Sequence, residues 1–170
     1  MSPEHRRYLV LEQGIGAGLF NVALNAGIAW AMFHGADTVP LWGQQSIAGD
    51  TIGTAFMLPF LTTVIASRVV RGHVRRGRVS AMAWSDVGFA RRVPRGLSLR
   101  GALLGLVCLV AVAVPATWAL RALGVAQMSL GSFVAFKALF AGVLATAVTP
   151  FIARAALADA PLTSSGATTS

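Results

Sequence analysis

Gly101-Ala-Leu-Leu-Gly-Leu-Val-Cys-Leu-Val-Ala-Val-Ala-Val-Pro-Ala-Thr-Trp-Ala-Leu120 is a run of 20 residues without a formal charge, bounded by Arg100 and Arg121. A helix rises about 1.5 Å per residue and the hydrocarbon core of a bilayer is about 30 Å thick, so about 20 apolar residues cross it. The run therefore has the length and composition of a membrane span. Three more stretches qualify: residues 8–33, uncharged between Glu12 and His34; residues 51–68, which follow Asp50; and residues 130–153, interrupted once by Lys137. The expected fold is an all-α integral membrane protein, a four-helix bundle forming one domain over residues 1–154. The small, polar tail 155–170 is expected to be disordered. Arg6 and Arg7 precede the first stretch and Ala29-Trp30-Ala31 imitates a cleavage site, but Glu12, Gln13, Asn21 and Asn25 interrupt it too often for a signal core, and further spans follow.

Composition agrees with this reading. Hydrophobic residues make up 55% of the 170-residue chain and charged residues 12%, with mean hydropathy +0.68, where a soluble domain carries about a quarter charged. The formal charge of +8 does not point to nucleic acid, because too little polar chain remains to present a solvated basic face. The single cysteine, Cys108, allows no internal disulfide, and His5, His34 and His73 lack ligand spacing. No metal, cofactor or enzymatic constellation is expected.

The arginines set the orientation. With the N-terminus inside, Arg6, Arg7, the nine arginines from Arg68 to Arg100, and Arg154 fall on the inner side, and Arg121 alone on the outer. This asymmetry predicts cytoplasmic N- and C-termini. Trp30, Trp42 and Trp118 fall at the outer ends and Tyr8 and Trp84 at the inner, as interfacial aromatic belts require.

Two hairpins entering from one side would make any internal repeat a parallel one, and Thr54–Leu61 faintly resembles Thr146–Ile152. Pro59, Pro115 and Pro150 each remove a backbone donor, with Thr62, Thr63, Thr146 and Thr149 as available hydroxyls for the freed carbonyls. Gly14 with Gly18 and Gly101 with Gly105 mark close helix contacts, either inside the bundle or on a dimer face. Gly142, Thr146 and Pro150 continue such a stripe on the fourth span.

The candidate site follows from residues that cost energy in lipid. Asn21 and Asn25 share one helix face, which Gln13 extends. Unpaired carboxamides are disfavoured in hydrocarbon, so this stripe is expected to bond between helices or to line a polar path. Glu12 lies one turn inside the first span, within reach of the inner headgroups. Lys137 is expected about 7 to 8 Å above the centre of the fourth span, paired with Asp50 to close the outer end. The outer loop, residues 34–50, should pack on the bundle, with Ser46 or Asp50 capping the second span. The inner loop, residues 69–100, carries Arg71, Arg75, Arg76, Arg78, Arg91, Arg92 and Arg95, and Trp84. Residues 80–93 are expected to form a short interfacial helix with Met82, Trp84, Val87 and Phe89 among the headgroups. Arginine near anionic lipid contributes about 1 kcal/mol per charge, so the loop is read as binding anionic inner-leaflet lipid or an acidic partner.

At Phe20-Asn21 through Asn25, Val39-Pro-Leu-Trp-Gly43, Ser46-Ile-Ala-Gly-Asp-Thr51, Leu58-Pro-Phe60 and the arginine run that follows, the chain resembles a group of small uncharacterised bacterial four-helix membrane proteins, sometimes labelled permease-like. The resemblance covers mainly the first hundred residues and implies an inner-membrane location, with no catalytic or transport residue to transfer. The expected function is a small permease or channel-like subunit using Asn21, Asn25, Asp50 and Lys137. It is expected to be a homo-oligomer or part of a membrane complex, because four short helices enclose little interior. The alternative is a non-transporting adaptor or scaffold working through its arginine loop.

Overall fold

The computed structural model of the chain describes residues 3–83, 87, 94 and 96–160. Four helices, α1 (His5–Phe33), α2 (Ile47–Arg75), α3 (Leu97–Ala122) and α4 (Leu130–Asp159), are each long and apolar enough to cross a membrane. Two short strands, β1 (Thr38–Pro40) and β2 (Gln127–Ser129), pair antiparallel with Val39 opposite Met128. They tie the α1–α2 and α3–α4 loops together at one end of the molecule, the sheet end. The other end carries most of the arginines and is called the basic end.

Serine hydroxyls start α2 and α4. Ser46 accepts from the Gly49 amide at 3.1 Å and Ser129 from the Ser132 amide at 3.3 Å, each satisfying a free first-turn donor. Asp50 sits in the first turn of α2, where the helix dipole favours a carboxylate. The loop from α1 packs as expected, with Val39, Leu41 and Ile47 fully or nearly fully buried beside Phe33 and Phe133, whose rings meet edge-on at 4.8 Å.

Helix ends differ from the sequence reading. α2 extends beyond 51–68 at both ends, and α4 continues through Ala155, Ala156 and Leu157, all fully buried, to Asp159. Disorder from residue 155 is thereby corrected: alanine is the strongest helix former, and this run has a core to pack on. Leu97–Arg100 belong to α3, so the basic loop is shorter than 69–100. Ser80–Ala83 are irregular rather than helical, while Met82 is buried with Tyr8, Val74 and Leu157, and Val87 with Ala155 and Ala158. These two side chains pack on the helices instead of dipping into headgroups. Trp84, Phe89, Arg91, Arg92 and Arg95 lie outside the described residues.

Two stretches depart from α geometry. Tyr8–Gly16 of α1 and Leu109–Ala113 of α3 are π-helical, the latter just ahead of Pro115, where a wider turn relieves the clash of the ring with the preceding turn. The Thr63 and Thr146 hydroxyls donate to the carbonyls of Pro59 (2.7 Å) and Gly142 (2.8 Å), so they bond inside their own helices.

α4 lies between α1 and α2, and α3 packs along α2. Gly14 and Gly18 meet Pro150, Thr146 and Gly142, an antiparallel contact between α1 and α4. Gly101 and Gly105 meet Phe60 and Phe56, an antiparallel contact between α3 and α2. A Cβ on Gly105 would stand 2.6 Å from the Phe56 carbonyl oxygen, and one on Gly18 would collide with the Thr146 hydroxyl. Both glycine pairs are thus contacts inside the bundle. α2 and α4 run parallel, Asp50 beside Lys137 at the sheet end and Arg71 beside Asp159 at the basic end. The first helix of each hairpin therefore packs on the second helix of the other.

Candidate functional site

Because α4 separates them, α1 and α2 make no extensive backbone contact among the described residues. A cleft of about 660 Å³ opens between them, floored by α4. Glu12, Gln13, Asn21 and Asn25 of α1, Asp50 of α2 and Lys137 of α4 all line it. The six residues singled out from the sequence thus come together from three helices. Thr62 and Thr149 join them, between apolar walls that include Phe20, Leu24, Met57 and Leu61.

Asp50 and Lys137 form an ion pair at the sheet end of the cleft, with side chains only 10% and 5% exposed. Lys137 is nearer a helix end than expected, about 11 Å from the midpoint of α4 at about 1.5 Å per residue, because α4 runs six residues past the predicted end. The asparagines do not bond between helices. Asn21 donates to the Ala17 carbonyl at 2.9 Å, and Asn25 donates to the Asn21 carbonyl at 3.0 Å and, more distantly, to the Asn21 side-chain oxygen at 3.4 Å, so the two amides bond along their own helix while lining the cleft. Asn25 is buried, Asn21 half-buried and Glu12 exposed. The Thr149 hydroxyl is buried and has no hydrogen-bond partner.

The basic end holds a second polar cluster that sequence reasoning missed. Asp159 accepts from Arg100 Nη1 at 2.9 Å and from Arg71 Nη2 at 3.2 Å, and Arg100, fully buried, also donates through Nε to the Pro94 carbonyl at 2.9 Å. Arg71 is therefore drawn toward α4 rather than left for lipid or a partner, whereas Arg75, Arg76 and Arg78 are exposed. Gln13 donates to the Tyr8 hydroxyl at 3.1 Å, which lies 3.0 Å from His73 Nδ1 and so links α1 to α2. His5 Nε2 lies 2.9 Å from the Ser80 carbonyl oxygen. The available signal for Asp159 was its scarcity, since it is one of only six acids and lies on the arginine-rich side.

Along α2, Asp50 and Arg71 are separated by about 32 Å at about 1.5 Å per residue. The two ion-paired levels thus bracket an apolar layer of about one hydrocarbon thickness. Within that layer Gln13, Asn21 and Asn25 of α1, Thr54 and Thr62 of α2 and Thr149 of α4 line the cleft, while Thr63 and Ser67 of α2 are buried. No family model, curated protein or solved structure matches the chain.

Proposed function

We propose that the protein is an integral membrane protein of the bacterial inner membrane with four spans and both termini in the cytoplasm, acting as a small permease or channel-like subunit whose solute path is the α1–α2 cleft. The observation that carries this reading is the convergence of Glu12, Gln13, Asn21, Asn25, Asp50 and Lys137 on an open cleft. Asp50 and Lys137 pair between α2 and α4 and Gln13 links to α2 through Tyr8, whereas Asn21 and Asn25 bond only within α1 and Glu12 is exposed, so helix-to-helix bonding does not account for the last three. The bundle axis is filled by α4, so the path runs along its flank, and the Asp50–Lys137 pair closes its sheet end.

Orientation is supported by the exposure of Arg75, Arg76 and Arg78 at one end, against Arg121 at the other. A parallel repeat of two hairpins is supported by the exchanged packing of first and second helices and by the matching glycine pairs. In a homo-oligomer or larger membrane complex, a neighbour would cover the open flank of the cleft. The exposed arginines also favour a second reading, an adaptor or scaffold bound to anionic lipid or an acidic partner.

Flux into liposomes containing the purified protein, across a panel of ions and small solutes, separates the two. The permease reading expects flux that falls at least tenfold in Lys137→Met and Asn25→Leu. No flux for any solute, together with loss of anionic-vesicle binding when Arg75, Arg76 and Arg78 are replaced by Gln, would leave the adaptor.

A further inference from the structure

Resting on the cleft as the solute path, we propose that its substrate is an amphipathic organic cation, with Glu12 as the counter-charge and the apolar body held between α1 and α2. Charge comes first. Of the three ionisable side chains lining the cleft, Asp50 and Lys137 neutralise each other. Among the described residues Glu12 has no ion-pair partner, although Arg6, Arg7, Arg68, Arg78 and Arg154 belong to the same end of the molecule. The cleft therefore presents one carboxyl group without an ion-pair partner among the described residues, which a cation complements and an anion does not.

Depth strengthens the argument. Gly14 packs against Pro150 and the Thr146 backbone, which puts Glu12 about level with residues 150–152 of α4. That backbone level is about 12 Å inside the Asp159 ion pair at about 1.5 Å per residue, while the neighbouring Gln13 reaches Tyr8 at the basic end, so Glu12 lies between the basic end and the middle of the apolar layer. An ionisable side chain inside a membrane span that lines a cavity marks a functional site. Thr149 lines the floor of the same cleft, its hydroxyl buried and without a partner. An unpaired polar group in a medium without water calls for a polar partner, which a ligand in the cleft can supply.

The walls define the rest of the substrate. Phe20, Leu24, Met57 and Leu61 are exposed along the cleft, and the gap between α1 and α2 opens sideways. In a bilayer this opening meets acyl chains, so it admits a molecule already dissolved among them and turns away a hydrated metal ion. The cleft volume, about 660 Å³, falls within the roughly 300–1,000 Å³ usual for small-molecule sites.

The test is equilibrium binding of radiolabelled tetraphenylphosphonium to the purified full-length protein in nanodiscs, with triphenylphosphine oxide as an uncharged competitor of similar shape. Saturable binding is expected, at least tenfold weaker in Glu12→Gln, restored to within about threefold in Glu12→Asp, and not displaced by the uncharged competitor. Gly53 lines the cleft and a Cβ there meets nothing within 4 Å, so Gly53→Phe narrows the cleft without a direct clash and should abolish binding. Gly27→Phe, exposed and outside the cleft lining, should leave it intact. Absence of saturable binding, equal binding in Glu12→Gln, or displacement by the phosphine oxide overturns the proposal. Flux of small polar solutes without cation binding would overturn the substrate class and keep the path. Cation binding without flux of any solute would keep the site and remove the permease reading.

Discussion

Removing the charge of Lys137 leaves the Asp50 carboxylate nine-tenths buried with nothing to neutralise it. Breaking one side of a buried pair costs about 3–5 kcal/mol, whereas replacing both partners by neutral groups is often nearly neutral. Lys137→Met and Asp50→Asn should therefore each lower the unfolding free energy in detergent by about 3 kcal/mol, and the double variant should recover all but about 1 kcal/mol. Additive losses would mean that the two groups act separately. Arg100 gives a second case at this scale. It reaches Asp159 and the Pro94 carbonyl from different nitrogens of one planar group, a geometry that lysine's single ammonium cannot reproduce. Arg100→Lys should cost about 1–3 kcal/mol by loss of a buried hydrogen bond, read in the same unfolding assay. The Asp50–Lys137 pair was legible in the sequence because a lone cation interrupts an apolar run and a lone acid begins another. Asp159 was not, because a tail of small residues reads as coil until the neighbouring helices that bury Ala155–Ala158 are known. The partners of Asn21 and Asn25 were equally hidden, since spacing fixes a shared face and leaves open whether an amide turns to another helix or to its own backbone.

Helix pairing is decided by where backbones can approach. Four glycines in two GxxxG spacings announced close contacts, but which helix each would meet was not readable, because small residues mark a contact without naming the partner. The structure separates these glycines from others of similar helical setting. Gly105 lies against the Phe56 backbone carbonyl, which cannot move without shifting α2, whereas a Cβ at Gly27 or Gly53 meets open space. Gly105→Ala should destabilise the α2–α3 contact by about 1–3 kcal/mol through overpacking. Gly27→Ala and Gly53→Ala should be neutral or stabilising by up to about 1 kcal/mol, through the lower entropy of the unfolded chain. Thermal unfolding of the three variants in one detergent checks the order. Equal midpoints would show that α3 does not rest on α2 through this contact. At Gly18 the obstruction is a side-chain hydroxyl, so Thr146→Ala should rescue much of any loss in Gly18→Ala.

Across the whole molecule, the two ends of the helices differ in chemistry. One is tied by the β1–β2 pair and presents Arg121. The other presents exposed Arg6, Arg7, Arg75, Arg76 and Arg78. A helix pair crossing a bilayer retains arginine on the cytoplasmic side because basic segments are translocated poorly, so the sheet end should face outward. The α2–α4 pair also reverses its polarity between ends, acid on α2 and base on α4 beside the sheet, then base on α2 and acid on α4 opposite. Two copies of either helix placed side by side in the same parallel register would oppose like charges at both levels, so the arrangement favours pairing α2 with α4 over pairing either with itself. Orientation can be read directly because Cys108 is the only cysteine and is buried. In a Cys108→Ala background, a cysteine at exposed Gln44 near the sheet and another at exposed Arg76 report the two ends separately. A membrane-impermeant maleimide added to intact spheroplasts should modify Gln44→Cys fully and Arg76→Cys only after permeabilisation. The opposite pattern would invert the topology, place the arginines outside, and remove cytoplasmic anionic lipid as their counterpart. Labelling at both positions in intact cells would mean that the four helices do not hold one orientation, and the cleft would then present Glu12 to either face of the membrane.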